Sequence, residues 1–139
     1  MNDKNITIYN YHEAKKAWQR TVLSGVEYFF KNEKTVSSSG QIVFTRFLTV
    51  VIPISAKISD KRKYVSYKEY QKSEDTSKYW TLNSSCNKEV IVCGVCDKEI
   101  TENYKITVLK SDFEKAGVIC AVDDNTDKQF LRHFKVVCK

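Results

Sequence analysis

Proline and glycine are scarce: Pro53 is the only proline, and there are four glycines in 139 residues. That scarcity excludes collagen-like, linker-rich and disordered chains, whose compositions lean on these residues. It also leaves no glycine-rich phosphate cradle, and neither a Walker nor a dinucleotide pattern occurs. The apolar run at 42–54 is too short for a transmembrane helix and is broken by Arg46. The opening residues, MNDKNITIYNYHEAKK, mix both charges without an apolar stretch. They are expected not to act as a signal peptide, and the chain to be soluble and intracellular when made. Histidine is limited to His12 and His133, and no GxSxG motif accompanies them. The expectation is a protein that is not an enzyme and has no cofactor and no metal.

What is present supports one β-rich domain over residues 1–139. Hydrophobic residues make up 42% of the chain, enough for a real core. The net charge of +6 permits contact with nucleic acid, although the cations are scattered among seventeen acids. Cys86, Cys93, Cys96, Cys120 and Cys138 lack the pattern of a secreted disulfide scaffold and read as reduced, mostly buried thiols.

The centre of the chain is Ile42–Ile54, IVFTRFLTVVIPI. Alternate positions form a face that is apolar except for Arg46, which is the period of a strand. At about 3.3 Å per residue it would reach roughly 43 Å, so it must curve around a barrel or project beyond its sheet. Pro53 cannot donate to a ladder and should mark where pairing ends.

Ile6–Tyr9 reads as a first strand, followed by a polar connection with one possible helical turn at His12–Ala17. Trp18–Phe30 reads as a second long strand with a bulge at Gly25. Lys31–Gly40 is a polar, serine-rich loop between two long strands, predicting a protruding hairpin over Phe29–Phe44. Ser55–Lys63 is a basic loop. Ser66 with Glu69 fits a capping box for a helix over Tyr67–Lys72, and Ser111 with Glu114 fits one over Asp112–Ala116 that stops at Gly117. Tyr79–Leu82, Lys88–Val95, Asp97–Thr101, Tyr104–Leu109, Val118–Val122 and Phe130–Cys138 read as short strands, the last two as a hairpin around DDNTDKQ. The fold class is mainly β: a small β-barrel or sandwich with one or two short helices and a protruding β-hairpin.

Several patterns invite chemistry. Cys93-Gly-Val-Cys96 resembles half a zinc site or a redox pair, but a second ligand pair is missing, and on a continuous strand positions three apart face opposite ways. Asp123, Asp124 and Asp127 lack the spacing and glycine of an EF-hand. His133 reads as a half-buried structural residue. For DNA, the candidates are Lys31, Lys34, Ser37, Ser38 and Ser39 in the hairpin loop. A second group is Lys57, Lys61, Arg62 and Lys63, followed by Tyr64 and Tyr67, since single-strand binders set aromatic residues beside basic ones.

Several blocks together resemble a small family encoded among the head–tail connection genes of tailed phages and prophages of Gram-positive bacteria. They are Ile6–Asn10, Arg20–Tyr28, Thr49–Ile54, Tyr64–Tyr67, Tyr79–Leu82, Val90–Ile100, Ile119–Asp127 and His133–Val136. Two places depart from that family: Thr126–Leu131 replaces a Gly-Ser-Pro-like stretch, and cysteines flank Gly94 where lysine-like positions are expected. The resemblance implies a head-closure, or stopper, protein: a small β-barrel forming a homo-oligomeric ring, hexamer or dodecamer, below the portal and its adaptor. It implies a virion location at the head–tail neck after synthesis in the host cytoplasm, without a membrane. The partners implied are portal, adaptor and tail-completion proteins, with packaged double-stranded DNA retained by loops at the channel. An adaptor or tail-completion role in the same neck is the near alternative. A non-viral nucleic-acid-binding β-barrel is the alternative of another class.

Overall fold

The computed structural model of the protein describes residues 3–83, 88–127, 129 and 131–139. β1 (Lys4–His12) and β2 (Ala17–Val36) pair antiparallel through a turn at residues 13–16, where the expected helical turn does not form. Gly25 is the extra residue of a bulge: Lys4 faces Val26 while Asn5 faces Ser24, and Gly25 takes φ 79°. That left-handed conformation suits glycine, and the bulge bends β2 at the point where it leaves β1 for another partner.

That partner is β3 (Ile42–Pro53), paired with β2 from Glu27–Val51 to Val36–Ile42. β4 (Lys57–Ile58), a 3₁₀ turn at Ser59–Lys61 and β5 (Lys63–Tyr64) order the segment expected as a basic loop. α1 (Tyr67–Lys72) starts as its sequence predicts, with Ser66 Oγ accepting the Glu69 amide at 3.3 Å. β6 (Tyr79–Trp80) pairs parallel with β5. β7 (Val90–Cys93), α2 (Ile106–Asp112), β8 (Ala116–Asp124) and β9 (His133–Cys138) complete the chain.

The antiparallel pairings β1–β7–β8–β9–β3–β2 return to β1, a barrel-like circuit with β4 added on β2. The interior holds Ile6, Ile8, Leu23, Leu48, Val50, Ile52, Ile91, Ile119, Phe134 and Val136. β1 and β7 are buried on both faces. Tyr9, Val90 and Val92 point outward into a second cluster with Cys96 and Leu109 of α2. Double burial explains the unbroken apolar run VIVC in β7.

Two strand expectations are corrected. Tyr104–Leu109 alternates, yet residues 106–112 form α2, because Ile106, Leu109 and Phe113 recur at helical spacing and pack on the outer cluster. The Ser111–Glu114 box therefore caps nothing: Ser111 lies in the last turn and donates to Val108 O at 2.9 Å. Asp97–Thr101 is not a strand. Side chains rather than a ladder hold its region, with Tyr9 Oη on Lys98 O at 2.7 Å and Arg20 Nη1 on Cys96 O at 2.9 Å. Gly117 belongs to β8 and stops no helix; a Cβ there would sit 2.7 Å from Cys138 Cβ. In the last strand pairing begins at His133, later than the expected Phe130, which lies outside the described residues, as does Lys128 of the hairpin turn.

Candidate functional site: a projecting arm

β9 supports β3 only from Leu48 to Pro53, and β1 supports β2 only up to Val26. Beyond those limits, among the described residues, the two long strands pair with each other alone. Residues 31–46 therefore stand out from the body as a ribbon, all exposed but for half-buried Thr45. Six residues per strand beyond the sheet give an arm of about 20 Å. The ten-residue loop expected at Lys31–Gly40 is shorter than its sequence suggests: Lys31–Val36 are strand, and the turn is confined to residues 37–41. Gly40 takes φ 82°, its amide bonds Ser37 O at 2.9 Å, and the Ser37 and Ser39 hydroxyls lie 2.9 Å apart.

Register sorts the arm into two faces. Lys34 lies opposite Phe44, and Val36 opposite Ile42, on the face that carries the buried Leu48 and Val50 lower down. Arg46 shares this face, its guanidinium 3.9 Å above the Phe30 ring. Lys31 and Glu33 occupy the other face with Phe29, Phe47 and Val43, and form a 4.0 Å ion pair. The hairpin candidates Lys31, Lys34, Ser37, Ser38 and Ser39 thus all sit on one projecting element.

The basic loop is not a single cationic surface. Lys57, Lys61 and Lys63 are exposed. The Arg62 guanidinium instead turns inward, donating to Arg20 O at 2.6 Å, Thr21 Oγ1 at 2.8 Å and Ser77 O at 3.0 Å, with Asp60 at 3.2 Å. It clamps β2 to the segment before β6.

The CxxC cysteines do not converge. Gly94 turns the chain with φ 90°, and Cys93 packs on the inner cluster while Cys96 lies buried in the outer one. Burial pushes the Cys93 thiol up to about 11, and Cys96 Sγ accepts the Tyr9 hydroxyl at 3.1 Å. Cys86 lies outside the described residues, and Cys93, Cys96, Cys120 and Cys138 are free thiols. Among the described residues no group of three or more His, Cys, Asp or Glu is placed to hold a metal ion. His12 is buried between Ser73 O (3.1 Å from Nε2) and the Lys15 amide (3.2 Å from Nδ1). The half-buried His133 faces Leu131 O and the Asn125 amide.

Two features escaped the sequence reading. A cleft of about 550 Å³ opens beside Tyr11 and Trp18, cross-strand partners with ring centroids 4.9 Å apart; Lys16, Lys105 and Ile106 also line it. The second is Glu89, fully buried, whose carboxylate accepts Asn10 Nδ2 at 2.9 Å and the Tyr11 amide at 2.8 Å. An acid set directly against the apolar run VIVC was its available signal. The chain matches the DUF6751 profile, a family of unknown function, over residues 1–139. The protein belongs to the DUF6751 family. No curated protein and no solved structure matches it. Among the described residues of this family member, no helix is long and apolar enough to cross a membrane.

Proposed function

We propose that this DUF6751 protein is a structural component of a tailed-phage neck, a head-closure ring subunit between portal or adaptor and tail that helps retain packaged DNA. The observation that carries the reading is the arm: a paired ribbon with Lys31, Lys34 and Arg46, projecting from a closed β-body. A closed pairing circuit leaves the body few free edges, while the arm exposes two, which a neighbouring subunit can cover. Lysines on the arm give sequence-independent attraction to phosphates if it reaches a channel. The blocks that resemble head–tail connection proteins agree with this role, and no catalytic step is assigned. An adaptor or tail-completion position uses the same features. The test is a phage encoding the chain with residues 32–46 replaced by a two-residue Asn-Gly turn. Heads that package DNA and then lose it are the expected result. Particles of normal infectivity would overturn the closure role.

A nucleic-acid-binding barrel is favoured by the Tyr11–Trp18 cleft with its two lysines, since aromatic rings beside cations give bases a face to stack on. It requires the isolated chain to bind single-stranded DNA with a steep salt dependence. Trp80 is buried, so quenching of the half-buried Trp18 would report that binding directly.

A further inference from the structure

The two ends of β3 carry complementary surfaces. At the arm tip, Val36, Ile42 and Phe44 lie on one face, and Phe44 is 69% exposed. Lower on the same strand this face is buried as Leu48, Val50 and Ile52. Apart from Arg46, the sequence therefore continues an apolar pattern past the last strand that covers it, which is costly in water unless another surface meets it. At the far end of β3, beside Pro53, a slot of about 330 Å³ opens between Ile54, Tyr64, Trp80 and Phe134. Its wall is aromatic: the Tyr64 ring lies 5.1 Å from Trp80 and 4.4 Å from Phe134. Ile54 at its mouth is 58% exposed.

The charges match as well. Lys34 stands directly opposite Phe44 on the tip. At the slot, Thr126 is held by the exposed Asp124 carboxylate, which accepts its amide at 2.9 Å, and Asp124 lies opposite the slot residue Phe134 in the β8–β9 pairing. Arg62 also lines the slot, but its guanidinium is committed to Arg20 O, Thr21 and Ser77 O. Ten residues of extended strand, about 33 Å, separate Phe44 from Ile54, so an arm cannot fill the slot of its own chain.

We infer that the arm of one copy seats Phe44 in the slot of a second copy, with Lys34 against the Asp124 edge. The contact joins two different patches, so it repeats head to tail and closes a ring or extends a filament. It supplies subunit contacts for the ring proposed above, yet it holds for any assembly of this chain, phage or not.

Sedimentation velocity of the full chain over a concentration series tests it. Wild type should associate, whereas Phe44→Asp and Ile54→Glu should each weaken association at least about tenfold. Both positions are exposed, so both variants should keep the wild-type Tm. The deciding sample is their mixture. Phe44→Asp retains an intact slot and Ile54→Glu an intact arm, so together they should form a one-to-one heterodimer and nothing larger. Variants that assemble like wild type, or a mixture without heterodimer, would overturn the contact. So would a wild-type chain that stays monomeric at its highest soluble concentration and gives no arm-to-slot crosslink. A heterodimer from a chain that is missing from phage particles would sink only the neck reading.

Discussion

Glu89 shows what one buried side chain does to the stability of the whole. Burial pushes its carboxyl up to about 7 from an ordinary 4.5, and the bonds from Asn10 and the Tyr11 and Asn83 amides only partly offset that cost. A pKa raised on folding means the folded state holds its proton longer. The contribution is complete below the ordinary carboxylate range and is lost as pH rises through about 7, a change of about 3 kcal/mol. Urea unfolding should therefore show wild type losing stability between about pH 5 and about pH 8. Glu89→Gln should flatten this slope while costing about 1–3 kcal/mol overall, because at least one of its three donors loses its acceptor. An unchanged slope in the variant would assign the titration elsewhere. Gly117 makes a second residue-scale prediction. A methyl there meets Cys138 Cβ at 2.7 Å and Lys139 O at 3.1 Å, neither of which swings away. Gly117→Ala should cost about 1–3 kcal/mol by the same unfolding measurement.

Elements were legible where a local signal has one physical meaning. The bulge at Gly25, the cap at Ser66 and the end of β3 at Pro53 lie where the sequence puts them, since each rests on a backbone constraint of one residue. α2 is not legible in the sequence because Ile106, Thr107 and Val108 favour strands locally, and only the outer cluster shows that spacing of three decides. The upper half of β2 is hidden for the opposite reason. Lys31–Val36 is exposed on both faces, so no alternation marks it as strand; its pairing with Ile42–Phe47 holds it. The basic loop hid a structural arginine because Arg62 is distinguished from its lysine neighbours only by the carbonyls it reaches in three dimensions. The arm also yields an element-scale prediction. Its residues bury almost nothing in the isolated chain, so replacing 32–46 by an Asn-Gly turn should shift stability by less than about 1 kcal/mol. A large loss on thermal unfolding would mean the arm folds back as part of the core.

At the scale of the whole molecule, the body closes its own sheet and sends one element out of it. That division suits assembly: a stable β-circuit carries a ribbon whose tip is apolar and cationic, with an aromatic slot at the opposite pole. The body was readable from strand periodicity, because burial on one face imposes alternation. The slot was not, since Ile54, Tyr64, Trp80 and Phe134 come from separate segments that meet only in the fold. The most direct test of the neck role is cryo-electron microscopy of phage particles released by the cells that encode this chain. The expected result is a ring of this protein between portal and tail, with residues 31–46 directed to the axis or seated on the next subunit. Particles without the chain, or cells that release no particles, would contradict it.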